Sequence, residues 1–282
     1  MTELQSLRAQ LDAISEISTP QWMESLTPRG MAELEFHNRA RDLKRKEQLD
    51  QDTYEKFFGN RKYYAATKRS HVYINDWIAR HAPGAIVLDY ACGHGGSARH
   101  AARSGAKLSI GLDISDVSIR NAQDLAKAEG VEENTYFLQA NAEDTRLPDE
   151  CIDVAICMGM LHHLDLSYAF PELRRILKVG GKILAGEALD YNPAIKLYRY
   201  LTPQMRTEWE KAHILSHADL TFAKRFFDVG EVRYWHVIGY VGGKFPILLP
   251  ALDAVDRVLE SMPFVQLMSW MWTIELVRPP KS

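Results

Sequence analysis

Val87-Leu88-Asp89-Tyr90-Ala91-Cys92-Gly93-His94-Gly95-Gly96 is the stretch from which the rest of the chain is read. A short apolar run, Ala85–Tyr90, follows Pro83-Gly84 and predicts a buried parallel strand. The strand ends in a carboxylate, and a Gly-x-Gly turn then opens a helix. Glycine allows positive φ and close approach of the backbone to a ligand. The helix start offers free N–H groups and the positive end of the dipole to an anion. Asp89, beside that turn, suits a cationic or multi-donor group and repels a pyrophosphate. A ligand bearing both a carboxylate and an ammonium fits better. Taken alone, a Gly-x-Gly turn also fits a tight β–α connection that binds nothing.

Working outward, strands and helices alternate. Lys107–Asp113, Thr135–Ala140, Ile152–Met158 and Lys182–Glu187 read as further strands. Ser115 caps a helix that ends at Gly130, and a helix through Pro171–Leu177 ends at Gly180-Gly181. Five such alternations predict an α/β fold, a doubly wound, Rossmann-like, mostly parallel sheet. Gly230–Val237 and Met271–Val277 bracket an amphipathic helix, Leu248–Leu259, and supply an antiparallel edge strand. Residues 1–80 read as a helical N-terminal extension acting as a lid. Residues 81–282 form the core, with a helical cap inserted at 188–228. Within the extension, Leu4, Leu7, Leu11, Ile14 and Ile17 share one helical stripe. The mixed-charge stretch between Arg29 and Lys62 reads as a solvated helix.

Asp113 closes the second strand, 20 residues beyond Gly93. A carboxylate there faces the ribose hydroxyls of an adenosine-containing ligand in doubly wound folds. Asn141-Ala142-Glu143-Asp144 closes the third strand, where polar groups meet an adenine edge. In combination, VLDYACGHGG (87–96), GLDIS (111–115), NAEDTRLPDECIDVAICMGMLHHL (141–164) and LRRILKVGGKILAGEAL (173–189) resemble the class I S-adenosylmethionine-dependent methyltransferases, with a methyltransferase type 11-like core. The resemblance covers roughly residues 60–190. It implies S-adenosyl-L-methionine as cofactor, with Gly93 and Gly95 at its methionine part and Asp89 at its amino group. It further implies Asp113 at the ribose diol, Ile114 against the adenine, and Asn141, Ala142 and Glu143 at the adenine edge. Met158 would lie near the methionine moiety, and the aromatic pair Tyr63-Tyr64 of the lid is a candidate cofactor contact. Asn141 departs from the aspartate common at its position, and a neutral amide still bonds adenine.

Methyl transfer from a sulfonium needs alignment in a dry pocket, and a base only when the acceptor must lose a proton. His162 and His163 follow the fourth strand and are the candidate catalytic bases, of which at most one is expected to act. The acceptor pocket is expected from the late insertion and its approach: Glu187, Tyr198, Arg206 and His213. Glu210 and His213 are three apart and read as a surface pair. No Cys/His cluster has metal-ligand spacing, so no metal is expected. Cys92, Cys151 and Cys157 read as small core residues. The aromatic–sulfur segment Phe264–Trp272 reads as sheet-edge core, with a homo-oligomer interface left open.

The chain has 282 residues, 34 Lys+Arg against 37 Asp+Glu, and a net charge of −3. Such a balance lacks the basic excess that draws proteins to nucleic acid. The start lacks a signal-peptide pattern, and no run of about 18 apolar residues suggests a transmembrane segment. Cytoplasmic placement and a small-molecule methyl acceptor are the expectation; a lipid-linked or macromolecular acceptor is the alternative. Gly93-x-Gly95-x-x-Ala98 also satisfies the dinucleotide pattern of an oxidoreductase, against which Asp89 and the later motif order speak. A binding protein that has lost turnover is the third reading.

Overall fold

In the computed structural model of the chain, which describes residues 2–16, 19–42, 47–51, 53–54, 63–64 and 66–280, the apolar run after Gly84 forms β1 (Ile86–Tyr90), fully buried at the middle of the sheet. β2 (Leu108–Asp113), β3 (Thr135–Gln139), β4 (Ile152–Met158), β5 (Leu177–Ala188), β6 (Asp228–Trp235) and β7 (Met271–Val277) complete seven strands. Their order is β3-β2-β1-β4-β5-β7-β6, so the sheet winds outward both ways from β1 and β4. The first five strands are parallel; β7 runs antiparallel to both β5 and β6, one strand in from the edge. That winding leaves the switch point, and with it the ligand crevice, at the carboxyl ends of β1 and β4.

Alternate strand residues point to opposite faces and so build two cores. Leu88, Ile110, Leu138, Ala155 and Ile183 pack with α1 (Glu3–Ser15), with the helix Leu166–Ile176 and with Phe227. Val87, Val154, Ile156 and Leu184 pack on the other face against the helix Lys68–His81, through Ile74, Trp77 and Ile78. The extension expected as a lid over 1–80 is therefore divided. α1 buries Leu7 and Leu11 against one face of the sheet, which stabilises by about 1.5–3 kcal/mol per side chain. The helix 68–81 is a full member of the opposite layer. Between them lie α2 (Thr19–Glu24) and α3 (Pro28–Arg41), and α3 reaches the carboxyl-end turns of the sheet through Arg29–Glu143 and Asn38–Ser115.

Helix 68–81 is α4; α5 is Gly96–Arg103, α6 is Asp116–Ala128 and α7 is Leu166–Ile176. The cap contains α8 (Pro193–Leu201), α9 (Glu208–Ala212) and α10 (His217–Ala223), and α11 (Leu249–Leu259) precedes β7. Two local expectations differ from the structure. α7 starts a full turn before Pro171, because Asp165 caps it by accepting from Ser167 N–H at 2.9 Å. Lys178–Gly181, read as a helix end, is instead the start of β5. There Gly180 takes φ +76, Gly180 N–H donates to Arg278 C=O and Arg278 N–H donates to Gly181 C=O, which forces a register shift against β4. Among the described residues, no helix is long and apolar enough to cross a membrane.

Candidate functional site

The crevice begins with two carboxylates that hold the backbone around them. Asp113 Oδ2 accepts from Gly93 N–H at 2.8 Å and Oδ1 from Ser115 N–H at 2.9 Å. Asp89 Oδ2 accepts from Ala98 N–H at 2.9 Å, in the first turn of α5. A carboxylate offers about four lone-pair directions, so both oxygens of Asp113 keep capacity for a pair of donors such as a diol. Asp89 is buried, and this desolvation, with the like charge of Asp113, raises its pKa to about 7. A cation arriving beside it would be met by an anion that has lacked one.

The loop between them is tightly folded. Ala91, Gly93 and Gly95 have φ of +56, +52 and +69, and Gly95 N–H donates to Cys92 C=O at 2.8 Å. The two glycines have different reasons to be glycine. A Cβ on Gly95 would stand 2.5 Å from the Phe137 ring, so the close fit of α5 against β3 requires it. A Cβ on Gly93 would meet the guanidinium of Arg41 at 3.2 Å. Gly93 is thus buried beneath the guanidinium of Arg41, a fixed positive charge beside the crevice. Positive charge from α3, a buried anion at Asp89 and a half-used carboxylate at Asp113 suit an amino-acid nucleoside and not a pyrophosphate.

α3 spans the mouth of this crevice. Arg29 ion-pairs with Glu143 and donates to His163 C=O at 3.0 Å. Asn38 accepts from Ser115 Oγ at 2.5 Å and donates to Asp116 Oδ1 at 2.9 Å. Arg41 C=O accepts from Asn121 at 3.2 Å. The charged stretch after Arg29 is therefore not simply solvated: Glu33 and Leu34 are buried. Arg29, Glu33, His37 and Arg41 recur every fourth residue and form one polar stripe that faces the site. That stripe was the available signal for residues which motif reading missed.

At the end of β4 the two histidines turn to different partners. Glu187 Oε1 accepts from Met160 and Leu161 N–H at 2.9 and 2.7 Å, and Oε2 accepts from His162 Nδ1 at 2.6 Å. This leaves His162 Nε2, 3.9 Å from Glu210 Oε1, as the free ring nitrogen. Burial lowers the pKa of His162, but the charge and hydrogen bond of Glu187 outweigh it and the net direction is up. His163 faces Glu33 at 3.1 Å; burial, then the neighbouring His162, hold its pKa down to about 3. One histidine is thus oriented by a carboxylate, and its neighbour stays neutral.

Several expectations are revised by this geometry. Glu187 does not line a substrate pocket; it is buried behind His162 and orients it. Glu210 is no surface residue: it pairs with Arg206 at 3.4 Å and faces His162, whereas His213 is exposed and stacks on Trp209 with centroids 3.7 Å apart. The Glu143 carboxylate is already taken by Arg29 and by Asp165 N–H at 2.6 Å, so its side chain latches α3 in place of meeting a base edge. Asn141 Oδ1 accepts from Glu143 N–H at 3.0 Å, and Ala142 C=O accepts from Tyr90 OH. Ile114 C=O accepts from Gln139. Met158 packs with the α4 core and over Gly186. Tyr63 meets Tyr198 edge-on at 5.6 Å and Tyr64 meets Trp270 at 5.6 Å, which joins the extension to the cap and to the segment just before β7. Cys157 is buried, and Cys92 and Cys151 are partly so, as expected of core residues.

Residues 88–185 match the family model described as a methyltransferase domain. The chain is 30% identical over 107 residues to 27-O-demethylrifamycin SV methyltransferase of Amycolatopsis mediterranei, covering 38% of this chain and 39% of that one. It is 33% identical over 113 residues to the ubiquinone/menaquinone biosynthesis C-methyltransferase of Shewanella frigidimarina, covering 39% and 45%. The match thus spans less than half the length of these relatives. Among solved structures, geranyl diphosphate C-methyltransferase from Streptomyces coelicolor, in complex with Mg2+, geranyl diphosphate and S-adenosyl-L-homocysteine, superposes with TM-score 0.60 at 17% identity, over 89% of this chain and 98% of that one. A [4+2]-cyclase shares the fold at TM-score 0.53 and 19% identity, over 74% and 80%, so the fold by itself does not dictate methyl transfer. Family match, motif order and sheet agree: residues 88–185 match a methyltransferase domain, set within the Rossmann-like sheet that the solved neighbours share.

Proposed function

We propose that the whole chain transfers a methyl group from S-adenosylmethionine to a small-molecule acceptor that must give up a proton, a hydroxyl or an ammonium. The cofactor supplies a methyl group made electrophilic by its sulfonium. Asp113 takes the ribose diol with its remaining lone pairs, Ile114 lies against the adenine, and Asp89 faces the α-ammonium. Arg41, above Gly93, pairs with the carboxylate. α3 excludes water from the crevice while Arg29 and Asn38 hold it down.

The observation that carries the reading is the Glu187–His162 pair at the end of β4, beside a crevice bearing Asp89, Gly93 and Asp113. Glu187 fixes His162 with Nδ1 as donor, so Nε2 is the nitrogen that accepts a proton from the acceptor. Arg206 and Glu210, beside that nitrogen, orient the acceptor's polar end, and Tyr198 lies at the cap side. The rifamycin, quinone and geranyl diphosphate relatives favour small acceptors over macromolecular ones.

The test is transfer of label. The protein is incubated with methyl-labelled S-adenosylmethionine and a fractionated small-molecule extract, and labelled products are identified. Label in a low-mass O- or N-methylated compound, abolished in His162→Ala, is expected. Label only in protein, nucleic acid or lipid-linked fractions would contradict the proposed acceptor class.

A further inference from the structure

We propose that Glu33, His37 and His163 form a binding site for a divalent transition-metal ion of the zinc type. Glu33 and His37 stand one turn apart on α3, and His163 comes from the turn after β4. An ion held by all three would join the helix over the crevice to the core beneath it. The ligand atoms already converge. Glu33 Oε2 lies 3.1 Å from His163 Nδ1 and 3.4 Å from His37 Nε2, and the three atoms all lie within 4.8 Å of one another. Tetrahedral zinc, with bonds of about 2.0–2.1 Å to nitrogen and oxygen, places adjacent ligand atoms about 3.3–3.4 Å apart.

Hydrogen bonding alone leaves this group incomplete. Both imidazoles address the same carboxylate oxygen, while Glu33 Oε1, on a side chain only 6% exposed, has no hydrogen-bond partner. Leaving a buried acceptor unsatisfied is costly, and a shared cation would satisfy it together with both ring nitrogens. Two imidazoles and one carboxylate select a zinc-type ion over magnesium or calcium, which prefer oxygen ligands throughout. Of the arginines along this groove, Arg29 is paired with Glu143, Arg206 is paired with Glu210, and Arg39 stacks over the Phe36 ring. A groove of about 580 Å³ between α3 and α9 is lined by Arg29, Glu33, Phe36, Arg206 and Trp209. It reaches Glu33, giving the ion a path in and an open fourth position for water or an acceptor oxygen. Glu33 and His37 stand four apart on one helix face, but His163 joins them only in the folded chain, so the trio does not stand out along the sequence.

The test uses the full chain, stripped with a chelator and dialysed. It is titrated with Zn2+ and with Mg2+ by calorimetry, and with Co2+ while the visible spectrum is recorded. One equivalent of Zn2+ is expected to bind and raise the melting temperature, with no heat from Mg2+. Co2+ should give the intense visible bands of a four-coordinate site. His37→Ala and Glu33→Gln should each weaken Zn2+ binding by at least the roughly 10–100-fold seen on losing an outer-shell partner. S-adenosylhomocysteine binding by the same samples reports that the crevice remains folded and separates this proposal from the methyltransferase reading. Absence of four-coordinate Co2+ bands in the unmutated protein, or unchanged Zn2+ affinity in either variant, overturns the site.

Discussion

The proposed cofactor crevice and the proposed acceptor pole lie at the same end of the sheet, yet they are built in opposite ways. The carboxylates and glycines of the crevice come from one short stretch, residues 89–118. Its carboxylates are bonded to backbone N–H groups of Gly93, Ala98 and Ser115. The pole gathers Arg29, Glu33, His162, His163, Glu187, Arg206 and Glu210 from distant segments through side-chain pairs. Backbone-anchored groups are fixed once the strands pair. Side-chain pairs form only when α3 and the cap have docked. The crevice is therefore a rigid receptor, and the pole is assembled over it.

This contrast can be broken by mutation. His162→Ala should lower turnover by about 10²–10⁴-fold while leaving S-adenosylhomocysteine affinity within a factor of two or so of the original, because His162 belongs to the pole alone. Comparable losses of affinity and turnover would merge the two regions. Asp113→Ala should lower cofactor affinity about 100-fold by calorimetry, as expected for removing charged hydrogen bonds worth about 1.5–3 kcal/mol each. Gly95→Ala should destabilise the protein by about 2–4 kcal/mol in urea unfolding, from a Cβ thrust at Phe137 and a strained positive φ.

Asp89 sharpens the comparison through pH. Its folded pKa of about 7 lies above the ordinary carboxylate value, so the folded state binds the extra proton. For this group, the unliganded protein is favoured at low pH and loses that contribution as pH rises from about 4 to about 7. A cationic cofactor reverses the preference, since the α-ammonium favours the anion. Cofactor affinity should then rise with pH toward about 7, with proton release seen as buffer-dependent binding heat. The smallest effect is expected for Arg29→Ala. Loss of the Arg29–Glu143 latch should speed cofactor release about fivefold in stopped flow, near 1 kcal/mol for a partly exposed pair.

The same contrast explains what could be read from the chain. β1, β2 and their acidic ends were legible because strand, turn and helix cap are local patterns, and all five parallel strands fell close to where alternation put them. The 20-residue spacing of Asp113 from Gly93 carries both into one turn, where Asp113 accepts from Gly93 N–H. Glu187 was picked out for the wrong task, since nothing in the sequence tells a carboxylate facing a pocket from one facing a histidine. Arg41 and Glu33 were missed because a mixed-charge helix looks solvated until its fourfold stripe is placed over something. The second reason for glycine at 95, that its Cβ direction faces Phe137, is a contact across 42 residues of chain and has no local signature.

The most direct measurement is a calorimetric titration of the unmutated full chain with S-adenosylhomocysteine and, in parallel, with NAD. The account predicts one S-adenosylhomocysteine bound per chain and no heat from the dinucleotide. Saturable dinucleotide binding with none for S-adenosylhomocysteine would contradict it.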